Sequence, residues 1–148
     1  MARLDRSWQA FRELSWRDRA LLVRAWLLLC LAAPGLQAVG FRRMQAALTP
    51  GAGVPAGLHD LDEAQLIARL VHAAANRNPF RPNCLARSLV LSRLLRIRGL
   101  GAELHIGVAA RGGAFAAHAW VEHGGIALAE AESYVQAYAP FDEALLTR

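Results

Sequence analysis

The 148-residue sequence predicts an α+β fold in which N-terminal helices and a central cysteine-bearing helix pack on a small antiparallel sheet. Three observations support this prediction. Apolar residues recur at helical spacing in the first two thirds of the chain. Residues 84–98 are apolar on most of the helical circumference, as expected of a central helix. After residue 100, short alternating segments are separated by Gly-Gly pairs, which is typical of hairpins.

The composition limits the class of protein. A length of 148 residues and 55% hydrophobic content suit one domain with a real core, and together with a net charge of +5 they exclude a disordered chain. Two cysteines, Cys30 and Cys84, are too few for a disulfide scaffold and do not match the spacing of a four-ligand zinc site. Because no charged-apolar-small export pattern is seen at the N-terminus, we expect a cytoplasmic protein.

The positive charge is unevenly distributed. Residues 1–43 contain eight arginines and three acids, residues 76–111 contain seven arginines and one acid, and the sequence has no lysine. Such a surface attracts nucleic acid, a membrane surface or an acidic peptide. Residues 76–111 contain a single aromatic residue, Phe80, and so lack the stacking platform of a nucleic-acid binder. We therefore predict no nucleic-acid partner.

The first predicted helix covers residues 4–33 and ends at Pro34-Gly35. Its densely apolar part, residues 20–33, contains Arg24 and is shorter than the roughly 20 apolar residues that a bilayer span requires. We therefore predict a buried or partner-facing helix, with no membrane span, and keep a membrane anchor as the alternative. A Gly- and Pro-rich linker at residues 49–60 then divides the chain into an N-terminal helical segment, residues 1–55, and a core, residues 56–148.

Two further helices follow from capping and spacing. Asp60 is predicted to cap a helix that runs to about Asn76, with Glu63 as its capping-box partner. Asn83 is a favourable N-cap for the central helix, and Gly99 is a favourable residue just beyond its end. Cys84 therefore falls on the first turn of a buried helix.

Three strands are predicted at residues 103–109, 115–122 and 126–130. A two-residue turn at Gly112-Gly113 would place Gly107 opposite His118, leaving a gap beside the imidazole, and His105 opposite Trp120. A three-residue loop at residues 123–125 would then pair His118 with Glu130, whereas a two-residue loop would turn Glu130 to the other face.

Cys84, His118 and Glu130 are the candidate catalytic residues. The positive end of a helix favours the thiolate form of a cysteine, although a lone cysteine is often a small buried hydrophobe. His118 lies among alanines, which suits either an interior histidine or one that is open to substrate. Glu130 would orient the imidazole, with Glu132 as its substitute, unless Glu130 is a solvated edge residue.

These three side chains predict a thiol hydrolase. Cys84 would attack a peptide carbonyl, His118 would transfer the proton, and water would release the thioester. The backbone N–H of Cys84 would supply part of an oxyanion hole, with Asn78 or Asn83 as candidates for the second donor.

The residues around this site resemble a known family. Asn-Pro-Phe-Arg-Pro-Asn-Cys-Leu-Ala-Arg-Ser-Leu at 78–89, Leu-His-Ile-Gly-Val at 104–108 and Ala-His-Ala-Trp-Val-Glu at 117–122 are similar to transglutaminase-like cysteine peptidases of lasso-peptide biosynthesis. These enzymes are the stand-alone leader peptidases of microcin-type maturation systems. The resemblance covers about residues 60–140, and the N-terminal segment rich in arginine and leucine is also similar.

The resemblance implies a papain/transglutaminase-like fold and removal of the leader from a ribosomally made precursor peptide. By position, Cys84 matches the nucleophile and His118 the base. The third residue of the family is usually an aspartate, and Glu130 stands at that position here. The resemblance also implies a separate leader-binding partner, for which the apolar, arginine-bearing N-terminal segment is the expected docking surface, and an ATP-dependent macrocyclase that receives the product.

Other readings of the same residues remain open. The first is an acyl transferase of the transglutaminase type, which forms the same thioester but uses an amine acceptor. The second is a non-catalytic peptide-binding module. The third is a metal site of Cys84, His118 and His105, which lacks short ligand spacing and a fourth ligand. We expect no cofactor, and no ATP binding by this chain, because it has no phosphate-binding glycine loop with a lysine.

Overall fold

A computed structural model describes residues 14–48, 60–111, 114–131 and 135–140. The N-terminal part of the first predicted helix, most of the 49–60 linker, the Gly112-Gly113 turn and Glu132 lie outside these described residues. The described elements are the helices α1 (Trp16–Val39), α2 (Phe41–Leu48), α3 (Leu61–Asn76) and α4 (Cys84–Ile97), and the strands β1 (Glu103–Arg111), β2 (Ala114–His123), β3 (Ile126–Ala127) and β4 (Ala139–Pro140).

Helix α1 is longer than its sequence predicts. It continues through Pro34 to Val39 and is capped by Gly40, which has a positive φ of 81°. Proline costs about 3 kcal/mol in a helix interior, and tertiary packing offsets that cost here. Beyond the proline, Leu36 packs on the core, and Gly35 lacks the Cβ that would collide with Met44 of α2. The predicted end at Pro34-Gly35 is therefore wrong, and α2 is a helix that the sequence did not predict.

Helix α3 has the predicted bounds but not the predicted cap. Asp60 lies in the left-handed region at φ 77°, and its side chain makes no capping hydrogen bond. Glu63 instead pairs with Arg98 near the end of α4, with 2.8 Å between Oε1 and Nη1. The predicted capping box is wrong because a left-handed residue does not turn its carboxylate toward the first N–H groups of the helix.

Helix α4 forms as predicted. The Oδ1 atom of Asn83 accepts the backbone N–H of Ala86 at 2.9 Å and caps the helix. At the other end, Gly99 has a positive φ of 73°, and the N–H of Leu100 returns to the carbonyl of Leu95 at 3.0 Å. This is the glycine-terminated ending that the sequence predicts.

The sheet is antiparallel, with the strand order β3-β2-β1-β4. The predicted pairing of β1 with β2 is confirmed: Gly107 lies opposite His118, His105 opposite Trp120, and Arg111 opposite Ala114. Strand β4 was not predicted. It pairs with β1 at only two positions, and so short a segment carries no recognisable alternation.

The second hairpin differs from its prediction. His123 pairs with Ile126, so the loop has two residues, Gly124 and Gly125, rather than three. Strand β3 then ends at Ala127 instead of continuing to residue 130. Ala129 takes a positive φ of 55°, which turns the chain out of the ladder. The predicted cross-strand pairing of His118 with Glu130 is therefore wrong.

The core lies between the helices and the sheet. Buried residues of α1, α3 and α4 form one cluster with Val121 and Leu128. A smaller cluster contains Ala109, Trp120, Val135 and Tyr138. Helices packed on a small antiparallel sheet confirm the predicted α+β class.

Candidate active site

Cys84 begins α4, where the chain leaves the extended Pro82-Asn83 segment. Its side chain is half-buried, and the Asn83 cap fixes the turn on which it lies. The unsatisfied N–H groups and the dipole of a helix favour negative charge at this position. The local sequence alone therefore places the sulfur at a site suited to an anion.

His118 and Glu130 meet as predicted, although by a different route. The Nε2 atom of His118 lies 3.3 Å from Oε1 of Glu130. The two side chains are only 14% and 20% exposed, which shields the pair from solvent. Because β3 stops early and Ala129 turns the chain, Glu130 reaches the imidazole from the loop rather than from a strand.

One small cavity brings the three candidate residues together. Cys84, His118 and Glu130 line the same space, which measures about 40 Å³. That volume holds a few water molecules. The structure therefore places Cys84, His118 and Glu130 around one compartment.

Aromatic rings hold the imidazole of His118 in place. Trp120 stacks on it with ring centroids 6.1 Å apart and an interplanar angle of 13°, and the Tyr138 ring lies at 5.3 Å. A Cβ on Gly107 would come within 2.8 Å of the Tyr138 Cβ and 3.0 Å of the Trp120 ring. Gly107 thus admits these two side chains, and the predicted gap beside the imidazole is filled by packing.

Comparison with protein families agrees with this arrangement. The profile of the transglutaminase-like superfamily matches residues 19–142. The chain belongs to the transglutaminase-like superfamily. Comparisons with curated proteins and with solved structures gave no significant match. The matched region contains Cys84, His118 and Glu130 and begins within α1.

The candidate site contains a second histidine, His72, which the sequence did not predict. His72 of α3 lines the same cavity as Cys84 and Glu130. Burial lowers the pKa of His72, Arg87 and His118 lower it further, and the carboxylate of Glu130 opposes them. His72 is half-buried in a helix of mainly apolar residues, and its only sequence signal is a polar side chain on the packed part of that helix.

Two polar residues of α4 also line the cavity and were not predicted. The Oγ atom of Ser88 donates to the carbonyl of Ala119 at 3.0 Å and ties α4 to the strand that carries His118. The Nε atom of Arg87 donates to the carbonyl of Pro82 at 3.0 Å and braces the segment before Cys84. Both contacts fix the relative positions of Cys84 and His118.

The two candidates for the second oxyanion donor, Asn78 and Asn83, make different hydrogen bonds in the structure. The amide of Asn78 donates to the carbonyl of Trp26 at 3.2 Å and to Sγ of Cys30 at 3.3 Å. Its Oδ1 accepts the N–H of Phe80 at 3.0 Å. Asn78 is therefore a structural tie between α1 and the loop before α4, and its assignment to the oxyanion hole is wrong. The Oδ1 of Asn83 is used as a cap, and its role as a donor stays a prediction.

The metal alternative is not supported within the described parts of the chain. Among those residues, no group of three or more His, Cys, Asp and Glu side chains is arranged to hold a metal ion. His105 stacks on Trp120 at 5.6 Å, and Trp120 also stacks on His118. His105 is thus grouped with Trp120 and does not line the cavity that contains Cys84.

Proposed function

We propose that this transglutaminase-like protein is a cysteine peptidase that removes the leader from a ribosomally synthesised lasso precursor peptide. The observation that carries the proposal is the His118–Glu130 pair, 3.3 Å apart, on the cavity that Cys84 also lines. Nucleophile, base and orienting acid on one compartment are the arrangement that thiol hydrolysis needs. The motifs at residues 78–89, 104–108 and 117–122 support the choice of substrate.

The first step forms a thioester. The sulfur of Cys84 attacks the carbonyl carbon of the scissile peptide, and the backbone N–H at the start of α4 stabilises the oxyanion. His118, protonated by the thiol, gives its proton to the leaving amine as the carbon–nitrogen bond breaks. Glu130 stabilises the imidazolium through Nε2, so the other ring nitrogen, Nδ1, exchanges the proton with the thiol and the amine.

The second step consumes water. His118 takes a proton from a water molecule, the water oxygen attacks the thioester carbon, and the carbon–sulfur bond breaks. The products are a leader peptide with a new carboxylate, a core peptide with a new amino terminus, and the regenerated thiol. No cofactor takes part in either step.

An acyl transferase of the transglutaminase type is the second candidate function. It shares the thioester, but an amine replaces water as the acceptor. A non-catalytic peptide-binding module is the third candidate, and it requires no reactive thiol.

The decisive experiment is incubation of the protein with its precursor peptide and the separate leader-binding partner, followed by intact-mass analysis. We expect two products whose masses sum to the precursor plus one water. Cys84→Ala should give none, while Cys30→Ser should cleave normally. When a primary amine is added, acyl transfer would give a leader product whose mass equals that of the hydrolysed leader plus the amine minus one water. No cleavage by the wild-type chain, with precursor binding that Cys84→Ala retains, would leave only the binding module.

We also propose that the leader-binding partner docks on α1. Val23, Leu27 and Leu31 recur at intervals of four on one face of the helix and are 51%, 53% and 67% exposed. Exposed apolar rows of this kind mark interaction sites. Arg24 lies beside them and suits an acidic partner surface. The docked partner would deliver the leader, and the released core peptide would pass to an ATP-dependent macrocyclase.

A membrane surface is the competing occupant of this face. Helix α1 has the length and composition of a membrane span, and only 17% of its most apolar window is buried, although core helices and signal sequences also meet these criteria. The prediction that the apolar part at residues 20–33 is too short to span a bilayer is wrong, because the apolar helix extends over Trp16–Val39. We keep the cytoplasmic location as part of the proposal.

One variant separates the two occupants. Leu27→Glu should weaken binding to the partner at least about tenfold in a titration, because it places a charge in an apolar contact. Gln37→Glu, exposed near the end of α1, is the matched control. Binding of the wild-type chain to anionic vesicles that Leu27→Glu abolishes, with unchanged partner binding, would assign this face to a membrane instead.

A further inference from the structure

Helix α3 holds the loop that carries Glu130. The side chain of Gln65 accepts the backbone N–H of Ala129 at 3.1 Å and donates to the carbonyl of Ala127 at 3.4 Å. Ala129 is a non-glycine residue with φ 55°, a conformation that costs about 1 kcal/mol or more and persists only where surrounding contacts enforce it. Gln65 therefore supplies contacts that maintain the turn immediately before the catalytic carboxylate.

His72 faces the same loop from the same side of α3. It follows Gln65 by seven residues, or about two helical turns, which puts both side chains on one face. His72 lines the cavity with Glu130, and the two interact electrostatically. The backbone of the loop is thus hydrogen-bonded to Gln65, and His72 lines the same cavity as Glu130.

We propose that Gln65 and His72 are positioning residues that hold the carboxylate of Glu130 against His118. Gln65 fixes the backbone turn at Ala129, and His72 forms part of the cavity wall that limits where the carboxylate can lie. The inference rests on the proposed pairing of Cys84 with His118, but it does not depend on the identity of the peptide substrate.

The need for such support follows from the short third strand. Only Ile126 and Ala127 are paired in β3, so the ladder does not extend to Glu130. A glutamate side chain also has several rotatable bonds, and fixing it against an imidazole costs conformational entropy. The aspartate usual in the resembling family has one rotatable bond fewer. The longer side chain here makes external positioning more important.

The charge state of His72 matters for this role. The groups that face it are Arg87 of α4, His118 of β2 and Glu130 of the loop. A protonated His72 would compete with His118 for the carboxylate. Because burial lowers the pKa of His72, it takes up a proton only at a pH below the ordinary histidine range. At neutral pH it is therefore uncharged and leaves the carboxylate to His118.

The test measures the reactivity of Cys84 directly, without any peptide substrate. In a Cys30→Ser background, the rate of alkylation by iodoacetamide is followed against pH. Glu130 stabilises the His118 imidazolium, which in turn stabilises the Cys84 thiolate. We expect Gln65→Ala and His72→Ala each to shift the midpoint of this rate–pH profile upward by about one pH unit. Below the midpoint, that shift is a roughly tenfold lower rate of alkylation.

Conservative variants distinguish positioning from packing. Gln65→Glu keeps the acceptor for the N–H of Ala129, and His72→Gln keeps an uncharged polar side chain in the cavity wall, so both should restore part of the wild-type profile. Arg69→Ala, on the exposed side of α3, should leave the midpoint unchanged. In a Glu130→Gln background, neither alanine variant should shift the midpoint further. An unchanged midpoint in both alanine variants, or an equal extra shift in the Glu130→Gln background, would overturn the proposal.

A second measurement covers alanine variants that fail to fold. NMR titration of the His72 ring is compared between the wild-type chain and Glu130→Gln. Removal of the carboxylate charge should lower the His72 midpoint, because that charge favours the protonated imidazole. An unchanged midpoint would separate His72 from Glu130 and contradict its part in the proposal. Failure of precursor cleavage, with these shifts intact, would contradict only the proposed function.

Discussion

The nucleophile and the acid of the candidate triad reach the site by different means. Cys84 is positioned by a side-chain cap, because the Asn83–Ala86 hydrogen bond fixes the first turn of α4 and spans three residues of the chain. Glu130 is positioned by a strained turn, which the Gln65–Ala129 hydrogen bond holds across 64 residues. The first placement is local and the second is tertiary. Substitutions far from Glu130 in sequence should therefore disturb the acid before they disturb the nucleophile.

The largest effect should come from the proposed nucleophile and the proposed base. Cys84→Ala and His118→Ala are each expected to lower precursor cleavage by at least about a thousandfold, because nucleophile and base act as a unit. Circular dichroism should show an unchanged fold. The double variant should be no slower than either single variant, and additive losses would contradict a shared mechanism.

The next largest effect should separate the two candidate acids. Glu130→Ala is expected to lower turnover by roughly a hundredfold, because the imidazolium loses its partner at 3.3 Å. Glu132→Ala should change turnover much less, as measured by the same mass-based cleavage assay. Equal, small effects at both positions would remove Glu130 from the proposed triad. The comparison between the placements of Cys84 and Glu130 would then no longer concern two catalytic groups.

Gly107→Ala should act on the sheet that supports His118. A Cβ there meets Tyr138, the carbonyl of Ala139 at 2.9 Å and the ring of Trp120. We expect a loss of about 1–3 kcal/mol in the free energy of unfolding, measured by urea denaturation, because tight contacts with backbone atoms do not relax easily. Ala110→Gly, at an exposed position of the same strand, is the control. An unchanged unfolding midpoint for Gly107→Ala would contradict the close packing.

The smallest effect tests the local placement of Cys84. Asn83→Ala removes the cap of α4 and should cost about 1 kcal/mol in the free energy of unfolding. Asn83→Ser or Asn83→Asp, which can also cap, should recover most of this loss. The histidine titrations should not change, because the cap does not contact the His118–Glu130 pair. A shift in those titrations would show that the two placements are coupled.

The parts of the fold that the sequence predicted are those held by neighbours in the chain. The bounds of α4 follow from Asn83 and Gly99, and the β1–β2 register follows from a short turn and strict alternation. The loop at Gly124-Gly125 has two residues rather than the predicted three, because the glycine pair is compatible with both lengths and local sequence does not distinguish them. The structure makes that contact with the other loop, through the turn at Ala129.

Other differences between prediction and structure also arise from contacts between segments that are distant in the chain. Pro34 is a strong local stop signal, yet α1 continues because Leu36 and Gly35 pack against other helices. Asp60 and Glu63 have capping-box spacing, yet Glu63 is paired with Arg98, 35 residues away. His72 had no motif to mark it, because its chemistry arises only from the groups that the fold places around it.

Local sequence signals are enough to place a cysteine on the first turn of a capped helix and a histidine in register opposite a glycine, since caps, turns and alternation act over a few residues. Contacts between distant segments set how far α1 extends, how a glutamate reaches that histidine from a loop, and which side chains of α3 lie beside it. Those outcomes depend on packing and hydrogen bonds between segments dozens of residues apart, whose free energies outweigh the local preferences of the chain.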